Sequence, residues 1–466
     1  MRCECVRRLS LLHRGFGVCG LRLAESLYRV TCETGFLLSG EFVKMDILKR
    51  IRANAGALGQ WSKQGNGYFM YPKLEGEVGP RMKFRGHDVL NWSVNNYLGL
   101  AENEELRACD AKMAEKYGLS YPMGSRLMTG HTKLHEELET VIADFVQKED
   151  AFVLNSFYQG MVSIIDCLCG RNDVIVYDSD VHASIHDGVR LHLGKRFLYQ
   201  QNKIELIETQ LQKACECAAA QDGCVLLVTE GVIGLSGELA PLDKIVKLKE
   251  KYEFCLVVED AHGFGTMGPN GIGAADYFGV QDKVDLHIGT FGKAMGVMGG
   301  FVAGSEELVN YLRFNMRSQT FSEALPAAVV GSVINRMKYM MDKPELRERL
   351  GNVVSRFHDG LRKAGLEIGN TMSPVTPVYM PIHNMQEAVH MMVDLRETYN
   401  IFCVMIIYPY IQQDKVLLRF IPTATHTLED VDYTVESLAK IYENLKAGKY
   451  IDNKPISRPA IEEEQQ

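Results

Sequence analysis

The chain has 466 residues, 46% of them hydrophobic and 24% charged, with a formal net charge of −8. That length and composition suit two or three globular domains with sizeable cores, and the acidic balance gives no electrostatic reason to expect nucleic acid. No apolar run reaches the ~18 residues that a membrane span requires.

Residues 1–44 hold six arginines and a lysine against four glutamates, unlike the acidic remainder. The four acids and the lack of an amphipathic repeat argue against a transit peptide, and no clean apolar core follows the early arginines as in a signal peptide. We read this stretch as a leader upstream of a natural start at Met45. Past it the cysteines are scattered, apart from two CxC pairs (Cys167 with Cys169, Cys215 with Cys217). Those pairs lack zinc-site spacing, so free thiols in a reducing cytoplasm, and no metal, are expected.

From Met45 the run MDILKRIRANAGALGQW predicts a helix. YFMYPKLEGEV, RMKFRG and HDVLNWSV then alternate as a small antiparallel sheet, completing an N-terminal segment over 45–104. Over 105–330 the apolar runs DAFVLN, DVIVYD, CVLLVTE, FCLVVED, VDLHIGT and GGFVAG are separated by helical stretches. This rhythm predicts a large α/β domain with a mostly parallel central sheet covered by helices. A long helix over LPAAVVGSVINRMKYMM leads into PVTPVYMPI, IFCVMIIYP and VLLRFIP, a smaller α+β domain over 331–450, followed by a polar tail at 451–466.

Ligands of open α/β sheets collect beyond the carboxyl ends of the strands. The polar residues ending the apolar runs, Asp178, Glu230, Glu259 and Thr290, therefore mark the expected site. Just past the last of them Lys293 stands in the glycine-rich GTFGKAMGVMGG. Taken singly each feature has an ordinary reading: a strand cap, an incidental histidine, a surface lysine. Their order and spacing carry the argument.

NNYLGL (95–100), GSRLMTGHTKLHEELE (124–139), DSDVHASIHDG (178–188), EGVIGLSGELAPL (230–242), EDAHGFG (259–265), GTFGKAMG (289–296) and LLRFIPTATHTLED (417–430) follow in that order. Together they resemble the α-oxoamine synthase family of fold-type-I pyridoxal-phosphate enzymes, over roughly residues 45–450.

The resemblance implies that Lys293 carries the cofactor as a Schiff base and moves the substrate's Cα proton. Partial burial would lower its pKa, and the glycines would let the backbone approach the cofactor ring. Thr290 would bind the phosphate, with the backbone at Ser156, Phe157 and Tyr158 opening a helix beneath it. A carboxylate must hold the ring nitrogen's proton. The family places aspartate there; this chain has Glu259, followed by Asp260, which strand alternation turns away. His262 would bond the ring hydroxyl and His182 stack on the ring and polarise the acyl carbonyl.

For the substrate, Arg419 matches the arginine that grips the α-carboxylate and Asn95 an asparagine lining the pocket. The ordinary alternative for Arg419 is a surface charge on an edge strand. Ser322 matches a position reaching the neighbouring subunit's phosphate, which implies a homodimer with shared sites. Gly234 departs from the serine that the family usually has near the cofactor.

The implied reaction is a decarboxylating Claisen condensation of an amino acid with an acyl thioester, carried by coenzyme A or an acyl carrier protein. Serine at position 125, where the aminolevulinate branch has threonine, points away from that branch. The resemblance favours a long-chain enzyme using serine or its sulfonate relative cysteate. A short-chain glycine or alanine enzyme is the alternative, followed by an aminotransferase or an inactive partner subunit.

Overall fold

The computed structural model describes residues 47–53, 59, 65–200, 203–407, 411 and 415–451. The expected leader and nearly all of the expected tail lie outside them. The helix Ile47–Ala53 belongs to a separate N-terminal unit ending at Lys63, and none of its residues is buried.

The strands are β1 (Leu74–Glu75), β2 (Arg81–Phe84), β3 (His87–Asn91), β4 (Asp150–Leu154), β5 (Val174–Asp178), β6 (Lys195–Tyr199) and β7 (Val225–Glu230). They continue with β8 (Cys255–Glu259), β9 (Leu286–Thr290), β10 (Gly300–Gly304), β11 (Thr376–Pro381), β12 (Ile401–Phe402), β13 (Val404–Ile406) and β14 (Lys415–Phe420). The central sheet has the order β4-β10-β9-β8-β7-β5-β6. β5 to β9 run parallel, while β10 is antiparallel to both β4 and β9. Strands buried at every position, such as β7 with its apolar run Val225–Val228, fit a sheet covered on both faces. The mostly parallel α/β architecture read from the apolar runs is thus present.

β6 was not among those runs. Four of its five side chains, in KRFLY, are not buried, and it lies at the sheet edge, so it lacks the continuous apolar signature of its neighbours. IFCVMIIYP, expected as one strand, divides at Cys403. Its first half pairs parallel with β3 and its second pairs antiparallel with β14. One segment thereby joins the N-terminal sheet to the three-stranded β11-β14-β13 sheet.

A shared core sits behind that junction. Trp92 stacks between Phe357 (ring centroids 4.9 Å apart) and His426 (3.8 Å), with Phe420 edge-on. Trp92→Ala is expected to cost about 3–5 kcal/mol of stability, read as a lowered midpoint in guanidinium unfolding. No helix among the described residues is long and apolar enough to cross a membrane.

Candidate active site

The carboxyl ends of β4, β5, β7, β8 and β9 open on one edge of the central sheet, and the chemistry-bearing residues collect there. Glu230 and Glu259 end adjacent strands in direct register, and both are buried. Lys293 lies three residues beyond the end of β9. Burial lowers the Lys293 pKa, opposed chiefly by the charges of Glu259 and Glu230. Burial raises both carboxylates in turn, and Lys293 acts against it. An amine so placed is neutral part of the time at ordinary pH, as a carbonyl-binding lysine must be.

Packing within the protein accounts for most of the glycines around Lys293. A Cβ on Gly289 would come within 2.4 Å of the Phe301 ring, and one on Gly300 within 2.6 Å of the Gly289 carbonyl. Gly296 and Gly299 take φ of 65° and 106°, where glycine alone is unstrained. Gly292, beside the lysine, has nothing closer than 3.4 Å. Most of this run therefore packs protein against protein and turns the chain.

Asp260 points away from Lys293's pocket into a cage of glycines. Cβ atoms on Gly231, Gly263 and Gly273 would each come within 2.6 Å of its carboxylate, and its Oδ2 accepts from the Ala274 amide at 2.5 Å. Burial pushes its pKa up to about 8. Glu259 accepts from the Ala261 amide at 2.8 Å.

His182 caps the helix Ala183–Leu191 with its own ring. Nδ1 accepts from the Ser184 amide at 3.3 Å and lies 2.8 Å from the Ser184 hydroxyl. A backbone N–H only donates, so Nδ1 carries no proton and the neutral ring is protonated at Nε2. Burial, then Lys293 and Arg419, lower its pKa. The Tyr158 ring stands at 75° to this ring with centroids 5.9 Å apart, while the Tyr158 hydroxyl donates to Asp187.

Glu230 ties the site together, a role the sequence did not disclose. Its Oε1 accepts from the His182 amide and its Oε2 from the Gly234 amide at 2.7 Å. The signal was its place at a strand end; the partners are 48 and 4 residues away.

Ser156 is the N-cap of the helix Phe157–Leu168. No side-chain cap bond engages its first amides, leaving them to a ligand or water. The Thr290 hydroxyl donates to Gly299 O at 3.1 Å and accepts from the Gly292 amide at 3.1 Å. Ser322 lies against Asn155, whose Nδ2 donates to it at 2.7 Å, just ahead of that N-cap.

Arg419 is no edge-strand charge, contrary to the alternative considered for it. β14 is the central strand of its sheet, and Arg419 pairs with Pro377 on one side and Val404 on the other. Its Nη2 is 3.5 Å from His262 Nε2, and its buried Nε has no partner among the described residues. Asn95 Oδ1 is likewise buried and unpaired. Orphaned donors and acceptors are rare in native interiors. A carboxylate for Arg419, a pyridinium beside Glu259 and a phosphate at the helix N-terminus fit pyridoxal phosphate with an amino acid.

The chain matches the aminotransferase class I and II family over residues 87–438. It is 50% identical over 405 residues to the cysteate-C-fatty acyltransferase of Capnocytophaga ochracea, covering 87% of this chain and 96% of the relative. It is 35% identical over 374 residues to the 8-amino-7-oxononanoate synthase of Petrotoga mobilis, covering 80% and 93%. Among solved structures, Sphingomonas wittichii serine palmitoyltransferase superposes with a TM-score of 0.78 at 26% identity, covering 87% of this chain and 98% of that one.

Proposed function

Because the chain belongs to the aminotransferase class I and II family, in its pyridoxal-phosphate-dependent α-oxoamine synthase branch, we propose that it condenses cysteate or serine with a long-chain acyl thioester, releasing carbon dioxide. The 50% identity to a cysteate-C-fatty acyltransferase over nearly its whole length carries the choice of substrate.

When bound, pyridoxal phosphate supplies a carbonyl for the amine and an electron sink for the α-carbon. Lys293 holds the cofactor, then takes the proton from the amino acid's Cα. Its lowered pKa makes it a competent base. Glu259 keeps the ring nitrogen protonated. The amides at Ser156, Phe157 and Tyr158 would hold the phosphate, joined by the Thr290 hydroxyl once it turns from Gly299 O. Arg419 grips the α-carboxylate and Asn95 lines the same pocket. His182, with Nε2–H available, donates to the thioester oxygen as negative charge develops there. A Cα–carbonyl bond forms, the thiol leaves, and the Cα–carboxylate bond then breaks with loss of carbon dioxide. A proton returns to Cα, leaving a long-chain amino ketone.

A second copy of the chain belongs to this reading. Leu119, Tyr121, Met123, Met128 and Phe321 are exposed apolar side chains on segments joined by bonds from Ala324 N to Gly124 O and Ala327 N to Tyr121 O. Exposed apolar side chains gathered in this way mark an interaction surface, and Ser322 directly follows Phe321 in the chain, which supports a homodimer with shared sites. The acyl donor is a coenzyme A or acyl carrier protein thioester, taken up in the cytoplasm.

Glycine, alanine, serine and cysteate should be tested, each against acetyl and palmitoyl thioesters. The highest kcat/KM is expected with cysteate or serine and the palmitoyl donor. Preference for glycine with the acetyl donor would overturn the long-chain reading.

A further inference from the structure

His262 is buried, and its two ring nitrogens face different groups. Nδ1 lies 2.6 Å from the hydroxyl of Tyr97, which is itself fully buried. Nε2 lies 3.5 Å from Arg419 Nη2, and a Cβ on Gly234 would approach Nε2 to 2.9 Å. We propose that Tyr97 is a positioning residue that locks His262 in the Nε2–H tautomer, leaving that N–H as a donor beside Gly234 and Arg419.

Two proton arrangements are conceivable on distances alone. In one, the Tyr97 hydroxyl donates to Nδ1 and the ring proton sits on Nε2. In the other, Nδ1–H donates to Tyr97 and Arg419 donates to Nε2. Among the described residues His262 Nδ1 is the only hydrogen-bond partner of the Tyr97 hydroxyl. The second arrangement would therefore leave a fully buried hydroxyl hydrogen without an acceptor, which native interiors avoid. It also relies on a contact at the outer limit of hydrogen-bond distance, against one of 2.6 Å. The first arrangement satisfies the hydroxyl and Nδ1, and leaves Nε2–H as the donor that faces the pocket.

The charge state agrees. Burial, then the cations Lys293 and Arg419, hold His262 well below its ordinary pKa, so the ring is neutral. Burial raises the Tyr97 phenol, so it keeps its proton to donate. Nε2–H and the Arg419 N–H groups are then donors facing each other. Such a pair calls for an anionic oxygen close by. Gly234 matters here because any side chain would crowd Nε2. On the reading given above, that oxygen is the cofactor's ring hydroxyl; the tautomer itself does not depend on that reading.

The test is long-range ¹H–¹⁵N spectroscopy of the full chain carrying ¹⁵N-histidine, without cofactor, the His262 signals being those lost in His262→Gln. The expected result is an unprotonated Nδ1 and a protonated Nε2. In Tyr97→Phe the Nδ1–H tautomer should become populated, and pyridoxal phosphate should bind about fivefold or more weakly. An Nδ1–H tautomer in the unmodified protein would overturn the proposal, and so would an unchanged tautomer in Tyr97→Phe. Should Tyr97→Phe not fold, the unmodified protein's spectrum still decides. Failure of the unmodified protein to bind pyridoxal phosphate would sink the cofactor reading and leave the tautomer result standing.

Discussion

Lys293→Ala is expected to remove turnover by several orders of magnitude while the protein stays folded. On the proposed mechanism the lysine both holds the cofactor and moves the Cα proton, so one deletion would remove two chemical steps. Its structural contribution is small by comparison. The ammonium is desolvated beside Glu259 and Glu230, and its burial opposes the charge attraction that it gains. Without it the two carboxylates, already raised by burial, retain a proton rather than repel, so the unfolding midpoint should shift only slightly. Parallel rate and thermal-unfolding measurements separate the outcomes. Loss of the fold would make Lys293 structural. Retained turnover would place the reactive amine elsewhere.

The second large effect is expected at the neighbouring strand. Glu259→Gln should lower kcat by roughly 10²–10³-fold, the range for losing one pre-organised charge at a reacting centre. The amide keeps the shape and the contact with the Ala261 N–H at 2.8 Å but cannot hold a pyridinium proton. Asp260→Asn should act on stability instead, since that carboxylate lies in the glycine cage and accepts from the Ala274 amide. The reverse ranking, with activity tracking Asp260, would contradict the geometry.

Much of this site was legible because it follows the sheet. Apolar runs ending in Glu230, Glu259 and Thr290 had to be buried parallel strands, and such strands present their ends on one edge. The alternation that turned Asp260 away from Glu259 is a local property of the strand. What stayed hidden depends on chain segments far apart. Tyr97 and His262 are 165 residues apart, and nothing in NNYLGL names its partner. Arg419 could be taken for an edge charge because its strand's neighbours, Pro377 and Val404, lie on either side only after folding. β6 escaped because an edge strand with solvated lysine and arginine side chains has no apolar period to read. The packing role of the glycines near Lys293 stayed hidden as well. Their neighbour Phe301 belongs to an antiparallel strand whose register the sequence does not print.

Decarboxylating condensation predicts a fate for one carbon atom, the substrate's carboxyl carbon. The enzyme should be supplied with cysteate carrying ¹³C in its carboxyl group, together with palmitoyl thioester, and both products quantified. Labelled carbon dioxide and an unlabelled long-chain amino ketone are expected in equal amounts, with one free thiol for each. Label retained in the organic product, or a keto acid formed without consumption of the thioester, would contradict it.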